Sequence, residues 1–260
     1  MSDIKSFEIR NNVSKTYASI AKNGGSCCCG SSLGASPLSA SQKMGYSSEE
    51  LETVPDGANL GLGCGNPQVI ASLQPGETVV DLGSGGGFDC FLAARKVGTS
   101  GRVIGVDMTP EMIGKARENS MRAKLANVEF RLGEIEHLPI ADNTVDVIIS
   151  NCVINLSPEK AQVFAEANRV LKPGGRIAVS DVVALQAFPE IMLKDSMALC
   201  SCVSGAISKE QLEKLLKAAG FTEVSVTLQP ESRELIKTWF PDAEKYVCSA
   251  SIRAVKQKLC

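Results

Sequence analysis

Histidine is almost missing from this chain: one residue, His137, in 260. It sits in a polar stretch and reads as a solvated loop residue. That weakens any mixed Cys/His zinc site but leaves a purely thiolate site open. No apolar run approaches the roughly 18 residues of a membrane helix. The opening MSDIKSFEIR lacks the apolar stretch of a secretory leader. Basic runs are absent as well; 27 Lys and Arg against 29 Asp and Glu give a formal net charge of −2, which argues against nucleic-acid binding. A cytoplasmic protein with neither nucleic-acid nor membrane partners is expected. Cysteine is the contrast, at ten residues. In a reducing compartment these are thiols first and disulfide staples second.

The stretch Val79-Val-Asp-Leu-Gly-Ser-Gly-Gly-Gly-Phe-Asp89 organises the rest. A β-branched strand over 77–82 turns at Gly83 and runs into a helix over 88–97. Strand, glycine turn and helix present bare backbone N–H groups to a ligand. The dinucleotide pattern G-x-G-x-x-G needs a third glycine where Phe88 stands, which disfavours a nicotinamide enzyme. Asp81 at the mouth of the turn would repel phosphates but attract an ammonium group.

Strands then alternate with helices: strands at 102–107, 128–132, 144–150 and 176–181, helices at 110–124 and 158–171, and a turn at Lys172-Pro-Gly-Gly175. This rhythm predicts a parallel sheet with right-handed crossovers. Further helices are expected near 189–199 and 208–219, a strand at 223–228, and a last strand near 246–255 suited to an edge. Before the sheet lie a modest helix over 1–22, a Gly/Ser-rich lid over 23–48, and a short helix from Pro67 to about residue 73. The expected organisation is an N-terminal helix and cysteine-rich lid (1–75), a Rossmann-like core (76–183) and a sheet-completing C-terminal region (184–260).

Ligands of such sheets sit beyond the carboxyl ends of the strands. Asp81 and the glycine loop, Asp107-Met108, Gly133-Glu134-Ile135 and Ser150-Asn151-Cys152 fall there. An acid ending the second strand can accept both hydroxyls of a ribose, and Glu134 with Ile135 suits an adenine. The motifs VVDLGSGGGFD, VIGVDMT, FRLGEIEHLP and VLKPGGRIAVSD together resemble the class I S-adenosylmethionine-dependent methyltransferases. The resemblance implies a seven-stranded α/β sheet with an antiparallel last strand. It also implies that Asp81, Gly83, Ser84 and Gly85 hold the methionine moiety, Asp107 and Met108 the ribose, Glu134 and Ile135 the adenine end, with Asn151 beside them.

Three cysteine segments can converge above that cofactor: Gly63-Cys64-Gly65 in the lid, Cys152 after the fourth strand, and Cys200-Ser-Cys202 after the fifth. Soft thiolates select thiophilic centres. Zinc prefers four ligands in tight pairs. A widely spaced trio suits a three-coordinate centre that keeps a lone pair. Cys90 and Cys248 read as core residues and Cys260 as a frayed end.

The phrases SNCVINLSP, GLGCGNP, CVSGA and SCCCG…SQKMGYSSEEL…VPDGANLGLGCGNP narrow the resemblance to the arsenite methyltransferases. It implies that Cys64, Cys152 and Cys202 bind As(III), with Cys200 able to stand in for Cys202. One of Cys27, Cys28 and Cys29 would pair with Cys64 in a lid disulfide. Arsenite or thiol-bound arsenic is then the substrate, and a thioredoxin-like protein or a small thiol such as glutathione the reductant. A small-molecule C- or O-methyltransferase and a non-catalytic arsenic-binding protein are the competing readings.

Overall fold

The computed structural model describes residues 2–23 and 36–258. Cys27, Cys28, Cys29 and Cys260 lie outside the described residues. Among those described, seven strands form one sheet in the order β3-β2-β1-β4-β5-β7-β6. The strands are β1 (Thr78–Leu82), β2 (Arg102–Asp107), β3 (Val128–Leu132), β4 (Val145–Asn151), β5 (Leu171–Ala184), β6 (Phe221–Gln229) and β7 (Val247–Lys256). The first five pair in parallel, and β7 runs antiparallel to both β5 and β6. This is the expected class I methyltransferase sheet.

Helices flank the strands: α1 (Ser2–Asn23), α2 (Pro37–Lys43), α3 (Ser48–Thr53), α4 (Pro67–Ala71), α5 (Phe88–Val97), α6 (Pro110–Ala123) and α7 (Lys160–Val170). They continue with α8 (Glu190–Leu193), α9 (Ser196–Cys200), α10 (Lys209–Ala218), α11 (Arg233–Ile236) and α12 (Ala243–Tyr246). No helix of the described residues is long and apolar enough to cross a membrane. Apolar side chains fill both faces of the central strands. One cluster holds Val80, Leu82, Ile148, Val179 and Ile252; the other holds Val79, Phe91, Val103, Val147 and Ile149.

Two sequence expectations change. The last strand is an interior strand between β5 and β6, and β6 takes the edge. The reason is visible in their side chains: β7 is buried on both faces over Val247–Ala250, whereas β6 leaves Thr222, Glu223, Ser225, Thr227 and Leu228 exposed, as an edge tolerates. The described part of the lid is also more ordered than a glycine-rich loop. Ser36 caps α2, and Ser47 with Glu50 forms a reciprocal capping box on α3. The Lys172–Gly175 turn is absorbed into β5 as a register shift against β4.

Candidate active site

The carboxyl ends of β1, β2 and β4 lie side by side because they are parallel neighbours in register; Asp81 stands opposite Gly105 and Ile149. Beyond them opens a cavity of about 1230 Å³. Asp81, Gly83, Ser84, Gly85, Asp107, Met108, Ile135, Asn151, Cys152, Cys200 and Cys202 all line it. Glu134 does not. Its carboxylate lies 3.7 Å from the guanidinium of Arg10 in α1, which also pairs with the buried Glu136 at 3.3 Å; Arg10 and Glu136 both line the cavity.

The glycine loop forms one wall. Gly83 has φ 70°, and a Cβ there would come 2.5 Å from Val153. Gly85 has φ 51°, and a Cβ would meet nothing within 4 Å, so this residue faces open space. The Gly85 N–H donates to Asp107 Oδ2 at 3.0 Å and the Thr109 N–H to Oδ1 at 2.8 Å. Asp107 therefore also ties the loop to β2. Ser84 Oγ is buried with no hydrogen-bond partner among the described residues.

Charge on this wall is of one sign. Burial raises the Asp81 carboxyl well above the usual carboxylate range, and the neighbouring Asp89 adds to the shift. Burial pushes Asp89 up to about 6 against donors on Tyr46, Gln68 and Asn151. Burial also raises Asp107. Asp81 accepts from the Cys90 thiol at 3.3 Å, and Asp89 accepts from the Tyr46 hydroxyl at 2.9 and 3.0 Å. Buried acids gathered at a cavity wall are matched by a cationic ligand. With the orphaned Ser84 hydroxyl and the open Gly85 backbone, they fit the ammonium and sulfonium of S-adenosylmethionine. Asp89 and Glu136 were absent from the sequence reading. The signal for Asp89 was its place in the first turn of α5, directly after the glycines.

Cys152, Cys200 and Cys202 form another wall, with the buried Cys64 behind it rather than lining the cavity. Cys64 lies in a turn held by Asn151. The Asn151 Oδ1 accepts from the Cys64 N–H at 3.0 Å, and its Nδ2 donates to Gly65 O at 2.8 Å. Gly63 has φ 131°, and a Cβ there would come 2.7 Å from the Asn151 amide. Ser249 Oγ of β7 donates to Cys64 O at 2.8 Å. Cys64 and Cys152 are joined as a disulfide, their Cα atoms 6.0 Å apart. The expected lid pairing would have joined Cys64 to a residue outside those described. The Cys202 thiol donates to the Cys152 carbonyl at 2.8 Å. Cys200 is buried nearby, 3.6 Å from Thr16 Oγ1 of α1, and burial raises its thiol. Cys90 and Cys248 are buried core thiols, as expected.

A methyltransferase-domain family matches residues 73–220. The arsenite methyltransferase of Halobacterium salinarum is 51% identical over 261 aligned residues, covering 96% of this chain and 67% of that protein. The chain belongs to the arsenite methyltransferase family. The arsenite methyltransferase of Aquipseudomonas alcaligenes is 45% identical over 62% of this chain and 48% of its own length. This family member thus spans about two thirds of one relative and about half of the other. The crystal structure of the arsenic(III) S-adenosylmethionine methyltransferase of Chlamydomonas reinhardtii is 34% identical, with a TM-score of 0.60, over 86% of this chain and 75% of that one. A phosphoethanolamine N-methyltransferase of Haemonchus contortus, bound to S-adenosylhomocysteine, shares the fold with a TM-score of 0.62 at 20% identity, over 74% of this chain and 52% of that one.

Proposed function

We propose that this chain transfers a methyl group from S-adenosylmethionine to trivalent arsenic bound by Cys64, Cys152 and Cys202. The observation that carries this reading is the meeting of these three cysteines beside the acid-lined cavity: the Cys64–Cys152 sulfur contact, with the Cys202 thiol on the Cys152 carbonyl. They come from three loops separated by 88 and 50 residues.

S-adenosylmethionine, when bound, supplies an electrophilic methyl group on a sulfonium. Asp81 and Asp89 meet its ammonium, the Gly83–Gly85 backbone and the Ser84 hydroxyl its carboxylate, Asp107 and Met108 the ribose, and Ile135 the adenine. Glu134, held toward Arg10, contributes through α1. Arsenite or a thiol-bound arsenical exchanges its ligands for reduced cysteine thiols, and each incoming thiol gives its proton to a departing hydroxide or thiolate. Three thiolates leave the arsenic lone pair free to attack the methyl carbon, so placement in line with the donor is what the protein chiefly supplies. Methylation takes As(III) formally to As(V), and a trivalent product needs two electrons. Two cysteine thiolates closing to a disulfide release two. Cys64 with Cys152 is one such pair, and Cys64 with Cys27, Cys28 or Cys29 is another. A thioredoxin-like protein or a small thiol such as glutathione then reopens the bond. In this scheme 1–75 is the lid, 76–183 the cofactor core and 184–260 the region that completes the arsenic site.

The test is to incubate the protein with As(III), S-adenosylmethionine and a thiol and to speciate arsenic over time. Methylated arsenic is expected, and Cys152→Ser or Cys202→Ser should lower its rate by about a hundredfold, the scale of a lost ~3 kcal/mol contact with a charged group. Methylation at the wild-type rate in either variant overturns the ligand assignment.

A further inference from the structure

We propose that Asp181 and Asn155 are positioning residues for arsenic capture, fixing the separation between the Cys152 loop and the Cys202 loop. This rests on the three-cysteine reading above.

Asp181 is a buried carboxylate on β5. One of its oxygens lies within 4.8 Å of both the Cys64 and Cys152 sulfurs, which invites the view that it is itself a ligand. Its hydrogen bonds exclude that. Oδ1 accepts from Asn155 Nδ2 and the Val182 N–H, both at 2.8 Å. Oδ2 accepts from the Ile154 N–H at 3.1 Å and the Asn155 N–H at 3.4 Å. Two donors on each oxygen leave no lone pair for a metalloid. Three of the four donors belong to the turn that immediately follows Cys152. The carboxylate is thus spent on shaping that turn.

Asn155 carries the constraint across to the second loop. Its side chain is held by Asp181 Oδ1 and by Val182 O at 2.6 Å. Its own carbonyl lies where a Cβ on Gly205 would be, 2.0 Å away, so the Cys202 loop packs its bare backbone against it. Lys160 Nζ donates to the same carbonyl at 3.4 Å and to Ser157 O at 2.9 Å. Both cysteines need such support, because Cys152 has φ 55° and Cys202 φ 61°, a left-handed conformation that side chains other than glycine disfavour. The strained turn at Cys152 offers its carbonyl to the Cys202 thiol. A pyramidal three-coordinate centre requires its sulfurs at one mutual spacing, and Asp181, Asn155 and Gly205 set it from behind without touching substrate.

Arsenite and S-adenosylmethionine KM values are measured for Asp181→Asn, Asn155→Ser and Gly205→Ala. In each single variant arsenite KM should rise about tenfold, as expected for losing one buried charge-assisted hydrogen bond or a forced backbone shift. S-adenosylmethionine KM should stay within about twofold. A rise in both KM values together, or an unchanged arsenite KM, overturns the proposal. Asn155→Ser is the mild variant that keeps a folded protein in hand. Cys202→Ser separates the two levels. If it leaves arsenite binding by calorimetry intact, the cysteine reading itself fails. If it abolishes binding while Asp181→Asn and Asn155→Ser keep the wild-type arsenite KM, the positioning role alone fails.

Discussion

The two walls of the cavity are built in opposite ways. The cofactor wall comes from one continuous stretch, 79–89, plus the ends of neighbouring strands, and its working parts are backbone N–H groups and buried carboxylates. The thiol wall is assembled from three loops far apart in sequence, and each reactive sulfur is positioned by another residue: Asn151 behind Cys64, Asp181 and Asn155 behind Cys152, Gly205 beside Cys202. A contiguous wall can be recognised from its own motif. An assembled wall depends on supports that carry no motif of their own. The walls meet where Gly83 faces Val153, the residue after Cys152, and where the Asn151 side chain reaches both Asp89 and the Cys64 turn; the first is the tighter seam.

That seam is where the comparison breaks most severely. Gly83→Ala puts a methyl group 2.5 Å from Val153 at φ 70°. The left-handed alanine and the overpacking together should cost about 2–5 kcal/mol. Both S-adenosylmethionine and arsenite affinities should fall together in calorimetric titrations, whereas loss of one alone would show the walls to be independent.

Next in size is the electrostatic strain on the cofactor wall. Burial lifts Asp89 from 3.8 to about 6. The folded chain therefore holds this proton more tightly than the unfolded chain. The group's stabilising contribution is complete below about pH 4 and is lost as pH rises through 6, with an upper size of roughly 3 kcal/mol. In cofactor-free thermal melts from pH 4.5 to 7.5, Asp89→Asn should gain on the wild type as pH rises. A constant difference would remove Asp89 from the account.

Asp81→Asn sharpens the contrast with the smallest effect. It should weaken S-adenosylmethionine binding by about thirtyfold, the scale of a ~2 kcal/mol charge-assisted hydrogen bond, and leave arsenite binding unchanged. Equal losses of both ligands would place Asp81 in the shared scaffold rather than in the cofactor wall.

The same contrast explains what was legible in the sequence. The strands around 79–82, 103–106 and 145–150 are β-branched and apolar, and Gly83, Gly85 and Asp107 follow from the strand–turn–helix pattern. With ten cysteines to choose from, Cys64, Cys152 and Cys202 were picked out as a set by the resemblance to the arsenite methyltransferases rather than by composition. Their mutual geometry was not, since a Cys64–Cys152 contact across 88 residues is created by tertiary packing alone. On the side expected for the adenine, Glu134 and the buried Glu136 both pair with Arg10, and Glu136, bound by Ser157 Oγ at 2.6 Å, is the one that lines the cavity; burial of that kind is not visible in the sequence. Ser47 and Glu50 did carry a capping-box signal, but the glycine and serine content around them masked it. The interior place of β7 shows in its burial, unbroken over Val247–Ala250, which a pattern of small and polar residues such as Ser249, Ala250 and Ser251 does not announce.

Ser249 also sets an order of assembly. Its hydroxyl bonds the Cys64 carbonyl, and the strand that carries it lies between β5 and β6. On a ribosome, a chain that has emerged as far as β5 already has every strand of the cofactor wall. The turn bearing Cys64 then has its Asn151 bonds but gains the Ser249 bond only with β7, the last of the seven strands in sequence.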